Sequence, residues 1–258
     1  MNKRMIIFTL GKLLQITGLL MYIPVIVAII YQETEGISFA VLGALIFCLG
    51  TIISYKRPTK KNIYAREGFV IVALSWIIIS IFGALPFCLT GEIPSFIDAL
   101  FEMVSGFTTT GSSILSDIEA LSHASLFWRS FSHWLGGMGI LVFVIAFVPI
   151  SSGRSLHILR AEVPGPVVGK LVSKIRLTAR ILYIIYAVLT LIETVLLMFG
   201  GMPLFDSLLN SFGTAGTGGF AIKNASIAAY DSAYIDIVIT VFMILFGINF
   251  NLIYFVII

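Results

Sequence analysis

Two stretches rich in glycine and hydroxyl side chains, set in an otherwise oily chain, constrain what this protein can become. Phe107-Thr108-Thr109-Thr110-Gly111-Ser112-Ser113 is echoed by Ala215-Gly216-Thr217-Gly218-Gly219-Phe220-Ala221, with Gly219 standing 108 residues after Gly111. The same offset carries Asp98 to Asp206, Leu100 to Leu208 and Gly139 to Gly247, without a gap. Each stretch follows an apolar run of about a dozen residues, 95–107 and 203–213, too short for a hydrocarbon core that takes about 20. Non-helical backbone at membrane depth is tolerated only where protein or water covers it. A short helix dipping into the membrane and ending in a Gly/Thr loop meets that condition, so each stretch reads as an ion selectivity filter.

The membrane itself follows from composition. The chain is 59% hydrophobic and 11% charged, against about 25% charged in soluble domains. Apolar runs long enough to span lie near 5–31, 37–55, 68–89, 126–150, 181–199 and 234–258. Lys3 and Arg4, the group Lys56, Arg57, Lys60, Lys61 and Arg66, and the group Arg154 to Arg180 fall on one side of these six spans. The positive-inside rule makes that side cytoplasmic and the N-terminus with it. The outer side receives Arg129 and Lys223 but most of the acids. The +3 net charge is a by-product of topology and implies no nucleic acid, although the basic loops suit anionic lipid. Cys48 and Cys88 lie inside spans and are expected as reduced packing thiols.

The spans divide the chain. Residues 1–66 form a hairpin and basic loop, in which Lys12 and Gln15 read as snorkelling or interfacial groups. Residues 67–150 form a span, a short helix, a filter at 108–113 and a span. Residues 151–180 are a polar cytoplasmic linker, whose Ala161-Glu162-Val163-Pro164-Gly165-Pro166 segment cannot be regular helix. Residues 181–258 repeat the plan with a filter at 216–221. Both repeats enter from the same side, which suits a radial array around a pore.

Dehydrating a monovalent cation requires several oxygens in place of water, and backbone carbonyls supply them without a trapping charge. Gly111 and Gly219 would contribute positive φ, which other residues adopt only with strain. Thr109, Thr110 and Thr217 can add hydroxyls. Each short helix should aim its negative C-terminal end at the pore, with Asp98 and Asp206 complementing the other end. Glu102, one turn after Asp98, could brace the filter from behind or help attract cations; Asn210 in its place in the second repeat argues for a polar scaffold contact rather than a required charge. Gly136-Gly137-Met138-Gly139 reads as a packing or hinge site, and Asn249 and Asn251 could face the cavity. His133 reads as a hydrogen-bonded packing residue, and Glu193 as a buried partner of a polar neighbour or a cavity acid. No nucleophile elbow or metal-spaced His/Glu pair accompanies them, which disfavours an enzyme.

At these motifs the chain resembles the Trk/Ktr/HKT superfamily of potassium transporters, in its TrkH-type membrane subunit. The residues are Ser105-Gly106-Phe107-Thr108-Thr109-Thr110-Gly111-Ser112, Phe127-Trp128-Arg129-Ser130 running into Trp134-Leu135-Gly136-Gly137-Met138-Gly139-Ile140, Glu162 to Pro166, Gly218-Gly219-Phe220 and Gly247-Ile248-Asn249-Phe250. The resemblance implies an all-α integral membrane fold of potassium-channel-like membrane–pore-helix–membrane repeats, two present of an expected four, behind an N-terminal hairpin. It implies potassium uptake across a bacterial inner membrane, no cofactor beyond the transported ion, a homodimer, and a cytoplasmic TrkA-type nucleotide-binding regulatory partner. The ion would be met at Thr109, Thr110, Gly111, Ser112, Thr217, Gly218, Gly219 and Phe220. With two repeats, the chain is expected to be the N-terminal half of such a transporter; the alternative is a non-conducting, half-sized subunit that needs a partner chain to complete the pore.

Overall fold

The computed structural model describes residues 2–56, 58, 65–139 and 175–248, and among these every regular element is a helix. The first apolar run, read as one span, is α1 (Lys3–Leu20) and α2 (Tyr22–Tyr31) with a break at Met21. Pro24 accounts for the break, since it offers no N–H to the Leu20 carbonyl one turn earlier. The chain returns as α3 (Gly36–Ile53), packed along α1. Two glycines on each helix, seven residues apart, let the backbones touch. A Cβ on Gly18 would lie 2.6 Å from the Gly43 carbonyl oxygen, and one on Gly50 would lie 2.6 Å from that of Gly11. Close approach of this kind is how helices associate without a hydrophobic drive between them.

One expectation for this hairpin gains detail and one needs correcting. Lys12 and Gln15, half-buried, also link the helices: Lys12 Nζ donates to Gln15 Oε1 at 2.8 Å, and Gln15 Nε2 donates to Thr51 at 2.9 Å and Ser54 at 3.2 Å. In apolar surroundings a polar side chain gains by finding partners across the helix pair. Cys48 is exposed on the outer face of α3 rather than packed, because the glycines occupy the face turned to α1.

The first repeat follows as α4 (Ala65–Thr90), α5 (Phe96–Phe107) and α6 (His123–Met138). The second follows as α7 (Ile175–Phe199), α8 (Leu204–Ala215), a 3-10 turn (Ser226–Tyr230) and α9 (Ala233–Gly247). Serine hydroxyls cap α5, α6 and α9: Ser95, Ser122 and Ser232 accept from the N–H groups of Asp98, Ser125 and Ile235. Such caps supply acceptors for N–H groups that no helical turn can satisfy. Among the described residues, four stretches are long and apolar enough to cross a membrane, Lys3–Tyr31, Gly36–Ile53, Arg66–Thr90 and Ala179–Phe199. Helices α6 and α9 cover the described parts of the fourth and sixth expected spans. They end at Met138 and Gly247, so the repeated glycines 139 and 247 mark the same break. Helix α7 begins at Ile175, inside the stretch read as linker. The rest of that linker with Glu162 to Pro166, residues 140–150, and Asn249 and Asn251 lie outside the described residues.

Within each repeat the short helix is wedged between its longer neighbours. Helix α5 packs on α4 and α6, and α8 on α7 and α9. The repeats join where α8 meets α6, through Phe212 set among Phe127, Phe131 and Trp134. Trp128, wholly buried, donates its indole N–H to the Gly83 carbonyl at 3.0 Å, which ties α6 to α4. The hairpin is fastened to the first repeat at its α2 end. Glu33 accepts from the backbone N–H groups of His123 at 2.7 Å and Ala124 at 3.0 Å, capping α6 with a carboxylate.

Candidate functional site

Helices α5 and α8 deliver the two Gly/Thr stretches in the same way. Thr108 N–H donates to the Val104 carbonyl at 2.9 Å, and Gly216 N–H to that of Phe212 at 3.2 Å. One residue on, Thr109 N–H reaches Gly106 O at 3.0 Å and Thr217 N–H reaches Thr214 O at 2.8 Å. All four pairs stand at equal places in the repeat. The chain then turns left-handed twice, with φ of +55° at Thr109 and +57° at Thr217, then +79° at Gly111 and +64° at Gly219. Thr110 and Gly218, in between, keep negative φ. The glycines adopt such angles freely. For a β-branched threonine the angle is a true outlier, worth about 1–3 kcal/mol of strain. Strain repeated at the same place in both repeats marks a backbone shape held for a purpose.

The two stretches are in contact. A Cβ on Gly111 would stand 2.0 Å from the Gly218 carbonyl oxygen, and one on Gly218 would stand 2.7 Å from the Thr109 carbonyl oxygen. Thr109 and Gly111 are thus brought against Gly218, with Thr110, Ser112, Thr217 and Gly219 beside them along the chain. The Thr108 and Thr110 hydroxyls are joined at 2.8 Å, and the Ser112 carbonyl accepts from Ser105 at 2.5 Å. Phe220 differs from the other expected site residues in its side chain, which is buried behind the stretch; only its backbone remains available there.

Behind the stretches lies a buried polar assembly. Glu102 accepts from Ser113 Oγ at 2.9 and 3.1 Å and from Ile114 N–H at 3.0 Å, which realises the bracing role expected of it. Its ion partner is Arg129, whose Nε lies 2.5 Å from Glu102 Oε1. Arg129 also donates from Nη1 to the Ala221 carbonyl at 2.6 Å, and its guanidinium lies 3.4 Å from the centroid of the Phe220 ring. Only 1% of Arg129 is exposed, so the charge is spent on partners inside the protein rather than in water. A buried charge without a partner is too costly to keep. An acid in a short apolar helix and a base in an apolar span were the signals that could have paired them.

His133 packs as expected, its ring stacked on Phe220 at 5.2 Å and pressed against Gly216 and Gly218, where a Cβ would come within 2.2 and 2.4 Å of it. Its ring nitrogens, however, make no hydrogen bond of ordinary geometry, although the Gly106 carbonyl bears on them. Glu193 is buried on α7 beside Thr214 of α8, its oxygens likewise without a bond of ordinary geometry. At the entrance of α8, Tyr230 donates to Asp206 at 2.8 Å and accepts from Asn210 at 3.2 Å. Burial, and then the Asp206 hydrogen bond, push the Tyr230 phenol above its ordinary range. The loops leaving the two stretches are stitched together by Asn224, which donates to Asp117 at 2.8 Å and Glu119 at 3.1 Å, and by Lys223, 3.2 Å from Glu119. The Asn224 N–H, and then the Lys223 bond, hold the Glu119 carboxyl below its ordinary value.

Two short helices, ending in strained, glycine-bearing loops that meet each other, are the arrangement of a paired pore loop. A family model described as TrkH, cation transport protein, matches residues 36–258. This chain belongs to the TrkH family of cation transport proteins. The TrkH potassium uptake protein of the Trk system of Salmonella typhimurium is 38% identical over 256 residues, covering 98% of this chain and 53% of that protein. The TrkG potassium uptake protein of Escherichia coli is 34% identical over 259 residues, covering 98% and 53%. The crystal structure of the potassium transporter TrkH from Vibrio parahaemolyticus superposes with a TM-score of 0.85 at 33% identity, covering 98% of this chain and 52% of that one. The chain spans about half the length of the curated relatives it matches. TrkH family members are transporters rather than enzymes, and this one is a multi-pass membrane protein of all-α, pore-helix architecture.

Proposed function

We propose that the chain contributes two filter-bearing repeats to a Trk-type potassium uptake pore, with the ion passing along the carbonyls of Thr109, Thr110, Gly111, Ser112, Thr217, Gly218, Gly219 and Phe220. The observation that carries this reading is the matched alternation of left-handed and ordinary φ through residues 109–111 and 217–219. Alternation of that kind turns successive peptide planes so that neighbouring carbonyls can share one side of the chain. Carbonyl oxygens stacked on one side replace a cation's hydration shell. The C-terminal ends of α5 and α8 add partial negative charge at the same place. Potassium, rather than another monovalent cation, is supported by the activity named for the TrkH and TrkG relatives.

The remaining parts of the reading extend the motif resemblance and the one-sided Lys/Arg distribution of the sequence. The chain sits in a bacterial inner membrane with its N-terminus cytoplasmic, works as a homodimer, and is governed by a cytoplasmic TrkA-type nucleotide-binding subunit. Two further repeats complete the ring of filters.

The test is uptake of radioactive rubidium in bacteria lacking their own potassium uptake, expressing the complete gene product. Gly111→Ser and Gly219→Ser should each lower rubidium uptake and weaken its preference over sodium. Wild-type preference in both variants would overturn the filter assignment.

A further inference from the structure

We infer that Glu102 and Arg129 form one clamp across the two filter stretches, and that Arg129 is a positioning residue for cation selectivity in the second stretch. This rests on the filter reading above. Ser113 and Ala221 are the closing residues of the stretches and stand at the same place in the repeat, 108 residues apart. Glu102 holds Ser113 through its hydroxyl at 2.9 and 3.1 Å, and Arg129 holds the Ala221 carbonyl at 2.6 Å. The two side chains are joined at 2.5 Å. A single ion pair therefore grips equivalent points of both stretches and sets the distance between them.

Among the described residues, the second repeat has no clamp of its own. The place of Glu102 is taken by Asn210, which is turned to Tyr230 and to the Asp206 carbonyl. The place of Arg129 is taken by Ile237, which is 64% exposed on the outer face of α9. The second stretch thus borrows its brace from the first repeat.

Only arginine suits the task. Its Nε serves Glu102, its Nη1 serves Ala221 and its flat face covers Phe220. Lysine, a compact ammonium on a flexible stem, cannot meet all three at once. The pair is shielded from water, with side chains 1% and 0% exposed, so its bonds are stiffer than on a surface. Selectivity among alkali cations depends on how the coordinating oxygens are held. A loosened clamp should therefore reduce discrimination.

The experiment uses the complete gene product in the same rubidium uptake assay, with sodium as competitor. Membrane abundance and the elution profile in detergent serve as folding controls. Arg129→Lys and Glu102→Gln are each expected to lower rubidium-over-sodium preference by roughly tenfold, the scale of coupling between linked sites. The double variant should be no worse than the more affected single one, because both break one device. Wild-type preference in Arg129→Lys, or additive losses in the double variant, would overturn the clamp. If both charge variants fail to reach the membrane, Ser113→Ala, which removes one hydroxyl from the clamp, should shift preference in the same direction; no shift would again overturn it. Gly111→Ser and Gly219→Ser run alongside. A shift in these with none in the clamp variants sinks the clamp alone, whereas wild-type preference in the glycine variants sinks the filter reading beneath it.

Discussion

Gly111 and Gly219 stand at the same place in the repeat, yet replacing each with alanine should have unequal consequences. Both have left-handed φ, +79° and +64°, where a side chain costs about 1–2 kcal/mol. Beyond that the sites diverge. A Cβ on Gly111 would lie 2.0 Å from the Gly218 oxygen, so the stretches must separate by 1.4 Å to reach the 3.4 Å at which ordinary contact begins. Forcing a group into filled space costs a further 1–3 kcal/mol or so. Nothing lies within 4 Å of a Cβ on Gly219. Gly111→Ala should thus lose about 2–5 kcal/mol and Gly219→Ala about 1–2. Thermal melting of the detergent-solubilised protein should show a drop for Gly111→Ala at least about one and a half times that for Gly219→Ala. Equal drops, or a larger one for Gly219→Ala, would refute the packing of the first stretch against the Gly218 carbonyl.

Gly216→Ala should destabilise through the His133 ring, whose Cδ2 would lie 2.2 Å from the new Cβ. Adding His133→Ala should recover stability relative to the sum of the single effects, measured as a double-mutant cycle of melting temperatures. Gly18→Val should part α1 from α3, since its Cβ would meet the Gly43 oxygen at 2.6 Å and the Phe47 nitrogen at 2.7 Å; cross-linking of cysteines placed on the two helices would report the loss. The Glu119 carboxyl has a lowered folded-state pKa, so its contribution is present above the ordinary value of 4.5 and is lost as pH falls through the lower, folded one. Hydrogen exchange at the Asn224 amide, corrected for its intrinsic rate, should accelerate as pH falls below the ordinary value of 4.5 and through the lower, folded one, and Glu119→Gln should abolish that dependence. Trp128→Phe removes the indole bond to Gly83 and should cost about 1 kcal/mol or more, because the carbonyl is left buried.

Much of the site was legible before any coordinates. The 108-residue echo located both Gly/Thr stretches, and their glycines have the left-handed backbone expected of them. The dozen-residue apolar runs became α5 and α8, with Asp98 and Asp206 in their first turns. What escaped was the company these residues keep. Arg129 reads in sequence as one more outer charge, since nothing along the chain ties it to Glu102, 27 positions earlier, or to Ala221, 92 positions later. The positive φ of Thr109 and Thr217 escaped for a different reason: threonine resists that angle, so local preference argued the other way and tertiary packing overruled it. The hairpin was read as two plain spans because Gly11, Gly18, Gly43 and Gly50 look like ordinary small residues until two helices are laid together.

The sequence by itself determined the solvent, the helices and the duplication. An apolar run's length, a proline's missing N–H and a serine ahead of a helix act over a few residues, and a repeated segment meets the same local rules twice. Only the tertiary structure decided which buried charge meets which, and which glycine is packed against a carbonyl rather than left open. Those choices depend on residues far apart in the chain approaching within a few ångströms, where burial makes a lone charge untenable and a single methyl group too large.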